Sequence, residues 1–212
     1  MKNLSFLLLL LCFIACKFNS EDKKYNTPKA IDASKNIVNW TCVPGEKVGL
    51  INKNFTEAAI IKAYGKENVS RQEISMGEGE VVTSTVLFPK TANEIFISWQ
   101  LDKPFQVISE VLIENENSPW TTNQGVGIGT TLTELVKING KDFQFAGFEW
   151  DYSGYTNDWQ DGNISKNLAV FLEPTNPEAV YPGLLGDSLF SSNHPKAKTA
   201  DLKVRSMIIR FD

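Results

Sequence analysis

The sequence predicts an α+β fold, a mainly antiparallel sheet with two short helices, laid out as two degenerate helix-then-strands repeats. Three observations carry this. Residues 56–66 and 131–141 match without gaps at Thr56/Thr131, Lys62/Lys137, Gly65/Gly140 and Lys66/Lys141, and each follows a Val-Gly pair, Val48-Gly49 and Val126-Gly127. Runs of adjacent strand-like segments follow both stretches. The strict helix–strand alternation that marks a parallel sheet is missing.

The elements follow in chain order. Residues 37–40 are expected to open the domain as a strand. In the first helix Ala59, Ile60 and Ala63 form an apolar stripe. It starts at Thr56 or, in an alternative capping box, at Asn54 with Glu57. A turn over residues 76–80 leads into a strand at 81–88. Ile95, Ile97, Trp99 and Leu101 alternate with smaller or polar neighbours, apart from Phe96, as a half-buried strand does. A further strand spans 105–113. The second helix has Thr131 and Glu134 in capping-box spacing and an apolar stripe of Leu132, Leu135 and Val136. Gly65 and Gly140 stand where a left-handed residue stops a helix. Helices of two or three turns do not persist alone, so both must dock on the sheet. Strands at 143–150 and 168–172 complete the second half. In the closing strand, 202–211, the inward set shifts from Leu202 and Val204 to Met207, Ile209 and Phe211. A one-residue bulge near Ser206 accounts for that shift. The repeat halves run about 48–113 and 126–174.

The N-terminus is an address. Lys2 precedes an apolar run from Leu4 to Ala15, too short to span a bilayer, which needs roughly 20 residues. Phe13-Ile14-Ala15-Cys16 resembles the lipobox of bacterial lipoproteins, with Phe13 in place of the usual Leu. The resemblance implies a signal peptide at 1–15 and acylation of Cys16, with anchoring to the outer membrane; two or more acyl chains hold stably where one does not. The alternative is an ordinary secretory signal. Residues 16–36 read as a polar tether, and residues 37–212 as a single globular domain. Glu21-Asp22 loosely resembles the export signal of surface lipoproteins, and reads equally as tether charge.

The chain carries 21 basic and 25 acidic residues, a net charge of −4. Loss of Lys2 takes the mature chain to −5, which argues against nucleic acid as a partner. Cys12 leaves with the leader and Cys16 is lipidated, so Cys42 has no disulfide partner. Beside Trp40 it reads as a small buried residue rather than a reactive thiol.

A Gly before a Thr-capped helix that ends in Gly-Lys and leads into strands resembles the repeat unit of the β-lactamase inhibitor proteins. It also resembles that of the small lipoproteins of outer-membrane protein assembly. Over its whole length the chain is similar to a group of uncharacterised Bacteroidetes lipoproteins. The matching stretches are 127–135, 147–154 and 186–195. That likeness implies a fold and a location, and no activity or site residues.

No catalytic set stands out. Gly186-Asp187-Ser188-Leu189 spells the nucleophile block of the GDSL hydrolases. In that family the block lies near the N-terminus with its Asp–His pair far downstream, whereas here the single histidine, His194, sits close behind in a loop. Glu149 and Asp151, two apart on an expected strand, share a face and would offer the paired carboxylates of glycoside hydrolysis. Gly125, Gly127 and Gly129 lack the dinucleotide fingerprint and read as a turn. Asp151, Asn157, Asp158, Asp161 and Asn163 are oxygen donors without EF-hand spacing, and one histidine with one cysteine cannot build a zinc site. No metal and no cofactor is expected.

The remaining constellation is the aromatic stretch 150–159. Trp150, Asp151, Tyr152, Tyr155 and Trp159 are the candidate ligand-binding residues, against the alternative of a hairpin whose rings pack inward. The functional expectation is a lipid-anchored, non-catalytic accessory protein that binds an envelope protein partner. The alternatives are a glycan-binding lipoprotein using the same rings, which requires an exposed Trp159, and then a hydrolase.

Overall fold

The structure, a computed structural model, describes residues 39–77, 80–180 and 182–211. The expected leader, the tether and Cys16 lie outside the described residues, as do residues 37 and 38 of the expected first strand.

Among the described residues seven antiparallel strands form the main sheet, and the most C-terminal of them holds it together. A meander of β4 (Val69–Gly77), β5 (Glu80–Leu87), β6 (Ile95–Trp99) and β7 (Ile108–Ile113) makes one half. The pair β10 (Tyr155–Thr156) and β11 (Leu168–Pro174) makes the other. Between β11 and β7 lies β13 (Leu202–Arg210), so the order is β10-β11-β13-β7-β6-β5-β4. A smaller sheet, β3 (Ile51–Asn52), β2 (Lys47–Val48), β1 (Thr41–Val43) and β8 (Thr121–Thr122), has one parallel pair, β1 with β8. It is tied to the end of β13 by Gly45 N–H, which donates to the Arg210 carbonyl at 2.9 Å. A third pairing joins β9 (Gln144–Ala146) to β12 (Leu189–Ser191). The helices are α1 (Glu57–Tyr64), α2 (Leu132–Asn139) and the short α3 (Pro195–Thr199). The fold is therefore α+β and dominated by antiparallel sheet.

Strand alternation separates two apolar rows. Ile97, Val111, Ile209 and Leu168 stand in register across four strands, all within 1% of complete burial. They share a core with Ile60 of α1, Leu132 and Leu135 of α2, and Cys42, Val48 and Ile51 of the small sheet. The opposite face carries Val86, Phe96, Leu112, Ile208 and Ala169, also in register. Burying Leu132 and Leu135 contributes about 1.5–3 kcal/mol each, which is how an eight-residue helix holds its place.

Local chemistry sets the ends of the helices. In α2 the Glu134 N–H donates to Thr131 Oγ1 at 3.3 Å, and the Thr131 N–H donates back to the Glu134 carboxylate at 2.8 Å. Gly140 follows in the left-handed conformation, φ 79°. Helix α1 starts at Thr56, which accepts from the Ala59 N–H at 3.2 Å; the Asn54 start is not used. Its last residue is followed by Gly65 at φ 90°, ψ 143°, a positive φ outside the expected left-handed well. In α3 the His194 ring accepts from the Lys196 N–H at 3.2 Å, so the single histidine is a helix cap.

A polar relay that runs from the exposed Arg71 to the buried Thr85 keys α1 to the sheet. Arg71 grips both oxygens of Glu57, with its Nε at 2.9 Å from Oε1. Thr85 Oγ1 donates to the same carboxylate at 2.8 Å, and Trp99 Nε1 donates to Thr85 Oγ1 at 3.0 Å. The Arg71 hydrogen bond holds the Glu57 carboxyl below its ordinary value, against a smaller opposing effect of burial. The Arg71 guanidinium also lies 3.8 Å from the centre of the Phe105 ring.

Several expected elements differ in extent. Trp40 is not in a strand; the first strand begins at Thr41. Leu101 lies beyond β6 in a turn and is exposed. The strand expected at 143–150 stops at Ala146, because Glu149 takes φ 66° and residues 151–154 turn. The expected bulge is present: Phe171 pairs with Ser206 and Leu172 with Val204, leaving Arg205 over.

Candidate functional site

The turn after β9 sets out the candidate residues. Its geometry is over-determined. The Trp150 N–H donates to Ser153 Oγ at 3.1 Å and the Ser153 N–H donates to the Trp150 carbonyl at 3.1 Å. The Trp150 indole Nε1–H donates to the Gly147 carbonyl at 2.9 Å. Gly154, at φ 72°, closes the turn against β11, its carbonyl accepting from the Leu172 N–H at 2.9 Å. A Cβ there would meet the Leu172 backbone, so both the left-handed φ and the close approach require glycine.

Three of the five candidate residues come together. The rings of Trp150, Tyr152 and Tyr155 follow one another at centroid separations of 5.3 and 6.1 Å, and Tyr155 meets Phe171 of β11 at 5.0 Å. All three contacts are tilted or edge-on, the preferred arrangement for aromatic pairs. The bulge aims Arg205 over the Phe171 ring at 5.5 Å, and Arg210 Nη2 donates to the Tyr155 hydroxyl at 3.4 Å. Tyr152 is 56% exposed, while Trp150, Tyr155 and Phe171 are half-buried.

Trp150, Tyr152 and Tyr155 wall a cleft of about 210 Å³. Asp158, Asp187 and the exposed Leu189 complete its rim, and Thr156 lies within it. Thr156 Oγ1 is buried and has no hydrogen-bond partner among the described residues. The sequence alone did not bring Asp187 and Leu189 to this cleft. Asp187 and Leu189 reach the cleft through the β9–β12 pairing, which joins residues more than forty apart and leaves no local signal.

The other two candidates lie elsewhere. Asp151 lines a second, polar cavity of about 460 Å³ with Glu149, Glu173 and Arg205, which meets the cleft at Trp150. Trp159 is only 3% exposed: its Nε1–H donates to the Leu168 carbonyl at 2.8 Å and its ring meets Phe143 edge-on at 4.9 Å. That placement removes Trp159 from any surface site, and with it the four-ring glycan reading. Glu149 and Asp151 do not share a strand face, since the left-handed Glu149 breaks the alternation.

Ser188 is exposed just before β12, and its carbonyl accepts from the Gly147 N–H at 3.0 Å. His194 is engaged as the cap of α3, and no Ser188–His194 hydrogen bond occurs among the described residues. The 125–129 glycines form a turn in which the Gly127 N–H donates to Thr130 Oγ1 at 2.8 Å. Among the described residues no three His, Cys, Asp or Glu side chains are grouped to hold a metal ion. Cys42 is fully buried, and burial pushes its thiol up to about 12. Among the described residues no helix is long and apolar enough to cross a membrane.

No family model matches the chain, and no curated protein or solved structure does.

Proposed function

We propose that this chain is a lipoprotein anchored at the outer membrane through acylated Cys16, and that its domain is a non-catalytic accessory module that binds another envelope protein. The observation that carries the binding reading is the ring-walled cleft with its exposed Tyr152 and Leu189. Trp and Tyr are among the residues that dominate protein interfaces, and Trp150, Tyr152 and Tyr155 wall the cleft. At about 210 Å³ the cleft falls below the 300–1,000 Å³ of ordinary small-molecule sites. That size suits one anchoring side chain of a partner. Aromatic rings and carboxylates both favour a cation, so the anchor is a lysine or arginine. The net charge of −4 steers a basic partner in the same sense. The threonine N-caps of α1 and α2, Thr56 and Thr131, support, within the same proposal, descent of the two halves from one repeat.

Two measurements test this. Radiolabelled palmitate is expected to enter the chain and to be lost in Cys16→Ser; failure of either counts against the anchor. Affinity capture of the detergent-solubilised full chain is expected to recover a stoichiometric protein that Tyr152→Ala and Leu189→Glu both release. Recovery of the chain alone across several mild detergents would remove the protein-binding reading. Binding on a glycan array that Tyr152→Ala abolishes would replace it with a three-ring glycan site.

A further inference from the structure

We propose that the outer edge of β4 is a docking surface for a second copy of this chain, which pairs its own β4 antiparallel about a two-fold axis at Gln72. The contact is self-complementary, and the main sheet of one copy continues into that of the other.

The edge is long and open. β4 ends the main sheet and runs for nine residues, whereas β10 at the other margin has two. Short strands and prolines are common protection for a sheet margin, and β4 has neither. Ser70, Arg71, Gln72 and Glu73 are all exposed, and among the described residues no strand pairs with their outer side.

The ladder with β5 decides which main-chain groups face out. The Phe88 N–H donates to the Asn68 carbonyl at 2.8 Å, one step beyond the Val69–Leu87 pair. Bonded and non-bonded pairs alternate along an antiparallel ladder, so Ser70, Gln72 and Ile74 turn their N–H and C=O toward β5. Arg71 and Glu73 turn theirs to solvent. Such outward groups are a template for a further strand.

The side chains choose which strand. An axis at Gln72 sets Arg71 of each copy opposite Glu73 of the other, and each such pair exchanges both of its main-chain bonds. Arg71 and Glu73 stand on the α1 face, opposite Thr85 and Thr83 of β5. Glu57 engages Nε and Nη2 of Arg71, while Nη1 has no hydrogen-bond partner among the described residues. Glu73 makes no ion pair among them. On the other face Gln72 meets its own symmetry mate, and an amide both donates and accepts. Moving the axis by one residue sets Arg71 against Arg71 or Glu73 against Glu73, and like charges directly opposite are destabilising. Charges that hinder indiscriminate edge pairing thus leave one register open, and the strand that carries the matching pattern is β4 itself.

Disulfide trapping of the full-length chain in mild detergent tests this, in a Cys12→Ser, Cys16→Ser background that keeps only the buried Cys42. Gln72→Cys is expected to form a covalent dimer under mild oxidation, with residue 72 joined to residue 72 by peptide mass spectrometry. Ser70→Cys is expected to stay monomeric, because its mate lies about 13 Å away along the strand, beyond the reach of a disulfide. Sedimentation velocity of the background chain is expected to show a monomer–dimer equilibrium. Glu73→Arg, a change on an exposed side chain, is expected to weaken it at least about ten-fold without lowering the melting temperature. A monomer at every concentration, a dimer that survives Glu73→Arg, equal linkage of Ser70→Cys and Gln72→Cys, or linkage of Gln72→Cys to a co-purifying protein in place of a second copy would each overturn the proposal.

Discussion

Replacing Trp159 tests the division between core and surface in the aromatic stretch. The indole is almost completely buried, meets Phe143 edge-on, and satisfies the carbonyl of Leu168 inside β11. Trp159→Ala removes the ring, opens a cavity and leaves that carbonyl without its donor. Large-to-small changes of this kind cost about 3–5 kcal/mol, set against a total stability of about 5–15 kcal/mol. For a chain of 150–250 residues each 1 kcal/mol lowers the melting temperature by about 2–4 °C, so the expected drop is about 6–20 °C. Trp159→Phe keeps most of the volume and loses the hydrogen bond, for about 1 kcal/mol plus the packing change. Tyr152→Ala, at an exposed position in the same stretch, should stay within about 0.5 kcal/mol. Urea unfolding followed by far-ultraviolet circular dichroism measures all three. A Trp159→Ala chain that unfolds at the same urea concentration as the parent refutes the core assignment.

Two further outcomes follow from ionisable groups. Arg71 lowers the folded-state pKa of Glu57, so the stability this adds is present above the unfolded carboxylate value and is lost as pH falls below 4.5 through the folded value. Glu57→Gln should therefore be less stable at neutral pH and show a shallower loss on acidification in melting curves; an unchanged acid limb would remove the relay from the account. Cys42, with its thiol pushed up to about 12 by burial, should stay unreactive toward a disulfide dye in the folded chain and react only at denaturing guanidinium concentrations. Rapid labelling of native protein, in a Cys16→Ser background, would contradict its buried position.

Local signals in the sequence located much of the scaffold. Thr131 and Glu134 marked the start of α2, and the shifted apolar set of residues 202–211 marked the bulge that frees Arg205. Strand β4 escaped notice because an edge strand is polar: Ser70, Arg71, Gln72 and Glu73 give no apolar alternation, and edge strands carry such residues to resist further pairing. The β10, β8 and β2 pairs are two residues each, too short for any period. Within the aromatic stretch, composition alone did not separate Trp159 from Tyr152, since both are aromatic residues among Asp, Asn and Gly. What separates them is the direction the chain takes after Gly154, and that depends on contacts with β11.

By itself the sequence determined the kind of chain this is: capped short helices, half-buried strands, a mainly antiparallel sheet, and candidate rings concentrated in residues 150–159. Each of those follows from interactions within a few residues, where periodicity and capping chemistry operate. The tertiary structure decided which strands are neighbours, with β13 inserted between β11 and β7, and which side chains share a cavity. Those outcomes depend on pairings between residues far apart in the chain, whose joint burial sets the register and which no local pattern encodes.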